Sequence, residues 1–424
     1  MNAVVGRAGA VGDATSTGLV VRIFLAFAFT YFFSALLRAV TATLAPAFSA
    51  ELGLRAADLG LLAGAYFLGF AAMQLPLGRA LDRLGPRRVG VALLAVAVLG
   101  CVLFALAGSL PALIASRMLI GVGVSAALMA PLTLYRRLFT PSAQLRANSW
   151  MLMTGSLGML ASTLPVQFLL PLWGWRGLFW AVAGLLLLSM LVTLALVPRD
   201  SPPAGDAPSG GGYREVLAHP LFRRMAPLGF FLYGGMIALQ SLWAGPWLTR
   251  VAGWSPGEAA QGLFFINLAM LFTFMAWGAL MPRLVRRGLD AVLVMTWGVP
   301  LSLLLLALNV VLGAGAGAAH WALWCVATTC VSLSQPAVGQ AFPAAQAGRA
   351  LSAFNLAIFG GVFCVQWGIG LLVDVFAGWG LAAPRAFQGA FAVFWLTCAL
   401  AYLAFLRAPR RATGIRADNG PPSA

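Results

Sequence analysis

Lysine is absent from all 424 residues. Its absence excludes a G-K-[ST] phosphate loop and any Schiff-base nucleophile. Acids are scarce as well: Asp and Glu total 11 against 27 basic side chains, every one of them Arg. Only two His occur, His219 and His320, and neither stands in an H-E-x-x-H pattern. The five cysteines, Cys101, Cys325, Cys330, Cys364 and Cys398, show no C-x-x-C spacing and no partner His. Zinc sites and disulfide frameworks are therefore not indicated, and buried free thiols are expected. No G-x-S-x-G and no His–carboxylate or Ser–Lys pair is present, which argues against a membrane-embedded enzyme. No cofactor and no metal is implied.

What the chain has is oil. Hydrophobic residues make up 61% and charged residues 9%, against about 25% charged in soluble domains. A soluble protein of this size could not hide that much apolar surface, so a water-soluble enzyme is excluded as a class. Reading apolar runs between turn and charge clusters gives twelve spans of bilayer length. They cover 20–45, 57–78, 88–108, 111–135, 147–171, 177–197, 225–247, 259–281, 290–312, 319–341, 350–374 and 384–406. The expected fold is all-α integral membrane. A tail (1–18) precedes a first six-helix half (19–198), a linker (199–224), a second half (225–406) and a C-terminal tail (407–424). The linker carries Ser201-Pro202-Pro203 and Ser209-Gly210-Gly211-Gly212 and reads as flexible. Residues 1–18 lack a cleavable signal pattern.

The arginines give an orientation. With both termini inside, twenty-one Arg fall in inside segments and four, Arg55, Arg176, Arg250 and Arg385, fall outside. That asymmetry is the positive-inside signal for two cytoplasmic termini in an inner (plasma) membrane. The net charge of +16 then records topology and calls for no nucleic-acid partner. Two arginines, Arg38 and Arg117, remain inside spans.

The chain also repeats. At a shift of 200, Pro46 meets Pro246, Gly53 meets Gly253, Asp58 meets Glu258, Gly78 meets Gly278 and Arg83 meets Arg283. Six spans plus six is an internal duplication, with a solute site expected between the halves near the midplane.

Three local patterns now resemble the major facilitator superfamily, whose members are built from such repeats. The segment Gly78-Arg79-Ala80-Leu81-Asp82-Arg83-Leu84-Gly85-Pro86-Arg87-Arg88 resembles the family's loop between helices 2 and 3. Arg117-x-x-x-Gly121-x-Gly123 resembles its helix 4 motif, and Trp173-Gly174-Trp175-Arg176 its turn before helix 6. The resemblance spans nearly the whole chain. It implies two six-helix halves that rock about a central site. It also implies a gating role for Gly78, Asp82, Arg83, Gly85, Arg87 and Arg88, which would latch the cytoplasmic ends. The plainer alternative is a positive-inside loop with a turn. The second copy has Pro282 where the first has Asp82. Arg117 is grouped with the gate, or it binds backbone carbonyls as a structural residue.

Polar stripes mark the candidate site. Tyr31, Ser34, Arg38 and Thr41 share one face of helix 1, and Tyr233, Met236, Gln240 and Trp243 one face of helix 7. Asn355 and Gln366 do so on helix 11, and Thr328, Ser332 and Gln335 on helix 10. Interhelical hydrogen bonding is the alternative for each uncharged stripe. None of the acids lies in the middle of a span. A cavity with Arg38 and no counter-charge attracts anions. Arg38, eight residues before Pro46, is similar to helix 1 of the organophosphate/phosphate antiporters, but Ala238 stands where those carry a second Arg. A single Arg suits a small monoanion such as a carboxylate.

The expected partners are a small-molecule substrate, a coupling proton or an exchanged anion, and the lipid bilayer, with the protein a monomer. Helix 5 lacks the dense Gly-Pro cluster of the superfamily's antiporters, which favours uptake. The alternative is an exporter of neutral or lipophilic compounds in which Arg38 and Arg117 are structural.

Overall fold

A computed structural model describes residues 17–199 and 213–407. Residues 1–16, residues 200–212 of the expected linker and the tail from residue 408 lie outside the described residues. All regular structure among the described residues is helical. The first half comprises α1 (Thr17–Leu52), α2 (Ala56–Leu84), α3 (Pro86–Leu106), α4 (Leu110–Val124), α5 (Met129–Leu138), α6 (Pro141–Ala161) and α7 (Leu164–Leu196). Two short helices, α8 (Tyr213–Ala218) and α9 (Pro220–Pro227), occupy the end of the expected linker. The second half continues through α10 (Gly234–Ala238), α11 (Ala244–Arg250), α12 (Pro256–Arg286), α13 (Ala291–Leu312), α14 (Ala318–Thr328), α15 (Ser334–Gln340), α16 (Ala344–Gly378) and α17 (Ala383–Arg407).

Ten helical stretches are long and apolar enough to cross a bilayer by length and composition. Helix is what such sequences must form, because lipid offers no partner for a free N–H or C=O. The expected fifth span, 147–171, is split instead. A turn at Ser162–Thr163 separates α6 from α7. Thr43 donates to the carbonyl of Ser162 at 2.8 Å. Further along α7, Arg176 meets Glu51 and the Ser189 hydroxyl lies 2.5 Å from Thr30. The chain thus follows α1 to its end and returns, reversing at Gly174 (φ 63°). The expected tenth span is also broken, by a 3₁₀ turn at Thr329–Leu333 between α14 and α15.

Some of the residues paired at the shift of 200 share local geometry. Gly53 (φ 62°) and Gly253 (φ 75°) end equivalent helices in the left-handed region, where a side chain would be strained. Three residues into the next helix, the carboxylates of Asp58 and Glu258 accept from the backbone N–H of Arg55 (3.0 Å) and Ser255 (2.8 Å). Each is a capping arrangement at a helix N-terminus. Packing repeats too. A Cβ on Gly158 would sit 2.2 Å from the Phe32 carbonyl oxygen, and one on Gly361 2.1 Å from that of Phe230. Glycine lets α6 press on α1, and α16 on the 228–243 segment, at the same distance.

The Trp173–Arg176 turn anchors this end of the first half. Trp175 donates its indole N–H to Glu51 at 2.5 Å, while Arg176 pairs with the other Glu51 oxygen and lies 4.0 Å over the Trp175 ring. Phe48 and Phe104 close around Trp175 edge-on. Four cysteines are buried, as expected. Cys364 departs from that expectation and is exposed on α16, where a thiol costs little against acyl chains.

Candidate functional site: a central cavity with one cation

Between the halves lies a cavity of about 100 Å³. Its wall draws on α1 (Arg38), α6 (Ser156, Met159), the 228–243 segment (Tyr233, Met236, Ile237, Gln240) and α12 (Asn267, Met270, Leu271, Phe274). None of these residues is an acid.

The 228–243 segment is not a plain α-helix. Its backbone opens into π turns at Leu228–Tyr233 and again at Leu239–Trp243, on either side of α10. Such turns frequently mark functional positions, since they re-aim side chains out of register. Tyr233 closes the first, and Gln240 stands within the second.

Among the described residues Arg38 has no carboxylate in salt-bridge contact. Its guanidinium carbon lies 5.8 Å from the Phe70 ring centre and 5.9 Å from that of Phe359. The phenols of Tyr31, Tyr66 and Tyr233 surround it. Its Nε is buried without a hydrogen-bond partner. Each cation–π contact stabilises a desolvated cation by roughly 1–2 kcal/mol, well short of the cost of removing it from water. Rings and phenols, among them the hydroxyls of Tyr66 and Tyr31, are the neighbours of this cation among the described residues.

On the far wall, Gln240 and Asn267 form an amide pair. Gln240 Nε2 donates to Asn267 Oδ1 at 2.5 Å, and Asn267 Nδ2 donates to the Leu263 carbonyl at 2.9 Å. Both are about 5% exposed. Asn267 is absent from the sequence-derived set. Its only sequence signal is that it is an amide inside an apolar run.

Other sequence candidates lie elsewhere. Thr41 accepts from Arg117 at 2.6 Å, and the same guanidinium nitrogen donates to the Leu37 carbonyl at 2.6 Å. Arg117 is 1% exposed and lies 5.2 Å over the Tyr66 ring, so it ties α4 to α1 next to the cavity without lining it. Tyr31 packs its ring against Gly155. Ser34 is buried, and its carbonyl accepts from the Tyr66 hydroxyl at 3.2 Å. Trp243 donates to the Gln366 carbonyl at 3.1 Å, and Gln366 donates to Ser241 at 2.9 Å. Asn355 accepts from Gln335 at 2.6 Å. These last three residues make interhelical or local bonds and do not line the cavity.

The Gly53 end of the molecule is shut. Here α2 runs along α16: a Cβ on Gly60 would strike the Gln366 carbonyl, and Phe67 stacks on Phe359 at 6.2 Å. Two hydrogen bonds from α2 to α16 end on Asp374. Its oxygens accept from the N–H of Ala56 (3.2 Å) and Ala57 (2.9 Å), the first turn of α2.

At the opposite end stands the expected gate. Gly78, Asp82, Arg83 and Arg88 are exposed, Gly85 turns the chain at φ 89°, and Arg87 donates to the Leu194 carbonyl at 2.6 Å. Asp82 makes no hydrogen bond or ion pair within the described residues.

Among the described residues no group of three or more His, Cys, Asp or Glu could hold a metal ion.

An all-helical arrangement of the described residues, with ten helical stretches of bilayer length and a cavity among them, has the build of a membrane carrier. Residues 27–364 match the family model of the Major Facilitator Superfamily. The chain belongs to that superfamily.

The "Inner membrane transport protein YajR" of Escherichia coli (strain K12) is 31% identical over 45% of this chain and 41% of its own length. The "Probable sulfoacetate transporter SauU" of Cupriavidus necator is 26% identical over 54% of this chain and 57% of its own length. The chain thus matches about half the length of these relatives. Among solved structures, a bacterial homologue of the human lysosomal transporter Spinster, inward-facing and unoccupied, aligns with TM-score 0.77. The alignment covers 93% of this chain and 97% of that one at 18% identity, a likeness of fold.

Proposed function

We propose that the protein is a secondary transporter moving a small organic anion across the inner membrane by alternating access of its two halves. In this reading the chain crosses twelve times, with the broken 141–173 and 318–340 segments as the fifth and tenth crossings. Both termini are cytoplasmic, and the Arg-rich Gly85 end faces the cytoplasm. The closed Gly53 end then makes the present conformation inward-facing.

One observation carries the anion preference. Arg38 stands on the wall of a small cavity that offers it aromatic rings and phenols but no carboxylate. A bound anion would supply the missing charge and pair with the guanidinium by charge-assisted hydrogen bonds. The size of the cavity supports a solute of a few heavy atoms, and the name of the SauU relative points to an anion of that size. A coupling proton finds no acid to ride on in this cavity, so it travels with the solute, or a second anion is exchanged for it.

Purified protein screened by thermal shift against small carboxylates, sulfonates, sugars and amines tests the reading. Stabilisation by anions that disappears in Arg38→Ala is expected. Stabilisation by neutral or cationic compounds only, unchanged in Arg38→Ala, would overturn it.

A further inference from the structure

The cavity holds a second recognition element whose chemistry the hydrogen-bond chain fixes. The Leu263 carbonyl can only accept, so Asn267 must turn Nδ2 toward it and Oδ1 toward Gln240. An oxygen can only accept, so Gln240 must offer Nε2 to Asn267. What Gln240 has left is its carbonyl oxygen, an acceptor, together with the second Nε2 hydrogen. The direction of this amide is therefore set by a backbone carbonyl one helical turn away, and not by a choice between equivalent rotamers.

Arg38 is donor-only, whereas Gln240 keeps an uncommitted acceptor in its Oε1. They belong to opposite halves, α1 and the 228–243 segment, and share one small cavity. Building on the anion reading, we infer that the substrate is a hydroxy-substituted small monoanion. Its charged group binds Arg38, and its hydroxyl donates to Gln240 Oε1, with Asn267 as the positioning residue for that amide.

A hydroxyl fits better than an ammonium group. An ammonium group would lie near Arg38 with no acid among the lining residues to offset the repulsion. The apolar part of the wall, Met159, Met236, Ile237, Met270, Leu271 and Phe274, suits a short carbon skeleton, and the hydroxyls of Ser156 and Tyr233 are its other polar groups. Such a substrate would bridge the two halves. Loss of either end would cost binding, because a buried polar group is then left without its partner.

The test uses isothermal titration of the full chain in detergent with matched pairs. These are acetate against glycolate, and propionate against 2-hydroxypropionate, with alanine as the amino counterpart. In the wild type the hydroxy acid should bind about tenfold more tightly than its parent, the size of one good hydrogen bond, and alanine no better than propionate. In Gln240→Met the ratio should fall to about one while parent-acid binding stays, since the volume is kept and the acceptor lost. Asn267→Leu should lower the same ratio by freeing the Gln240 amide to turn, and it reads out the pairing independently if Gln240→Met does not fold.

Parent and hydroxy acid binding equally in the wild type, or a preference that survives both variants, overturns the inference. If both acids bind and depend on Arg38, the anion reading stands without it. If no carboxylate binds, both fall.

Discussion

Removing the Asp374 carboxylate should open the end of the molecule that it now holds shut. Asp374 accepts two backbone N–H bonds, at 3.2 and 2.9 Å, from the first turn of α2. It is a C-terminal-half residue capping an N-terminal-half helix, so its energy counts fully toward keeping this end closed. A hydrogen bond to a charged group contributes roughly 1.5–3 kcal/mol when buried, and a carboxylate at a helix N-terminus another ~0.3–1. The site is only partly buried, and water replaces part of the loss on opening. A net of about 2 kcal/mol is reasonable, roughly a 30-fold change in the closed-to-open ratio. Asn keeps an uncharged acceptor and should lose about half of that energy.

The assay is a distance distribution by double electron–electron resonance. Spin labels go on Arg55→Cys and Arg385→Cys, both exposed at this end, with Cys364 replaced by Ser. Asp374→Ala should shift weight into a longer-distance population, and Asp374→Asn should fall between Ala and wild type. Superimposable distributions for all three, with unchanged amide exchange at Ala56 and Ala57, would refute the reasoning.

Other outcomes follow from the same contacts. Gly158→Val or Gly361→Val drives a side chain into a carbonyl oxygen and should cost about 2–4 kcal/mol. The check is a lower melting temperature and loss of monodispersity in detergent for both, equal in size if the repeat packs equivalently. Asp82→Asn should leave the melting temperature unchanged, because Asp82 is exposed and unbonded in this conformation, yet slow proteoliposome uptake far more than Pro282→Ala does. Glu51→Ala strips the acceptor from both Trp175 and Arg176 and should lower stability by about 1–2 kcal/mol in denaturant melts, with little effect on solute affinity.

The sequence made the architecture legible because bilayer physics writes it in composition. Long apolar runs need no tertiary information to read as membrane-length helices. The Gly53/Gly253 and Asp58/Glu258 pairs, seen first as an alignment, turn out to be the same helix cap built twice. Arg38 stood out because a cation in a lipid-length helix needs a reason.

Periodicity reports the face of a helix and not depth along it. Trp243 and Gln366 share the inward face with Gln240, yet they lie nearer the shut end and bond there to their neighbours. Asn267 escaped because its helix offers no second polar residue at three- or four-residue spacing, and its partner Gln240 is 27 residues away. The π turns that aim Tyr233 and Gln240 leave no mark in hydrophobic pattern, and neither does the turn that splits the fifth span.

In the proposed mechanism one arginine, Arg38, receives the anion. Uptake of labelled glycolate into proteoliposomes, comparing wild type with Arg38→Gln and Arg38→Lys, tests it most directly. The account predicts saturable uptake competed by other small carboxylates but not by sugars or amines. It also predicts that uptake is lost in Arg38→Gln and partly kept in Arg38→Lys, where a charge remains without the guanidinium geometry. Uptake in Arg38→Gln at the wild-type rate, or wild-type uptake competed by neutral solutes alone, would contradict it.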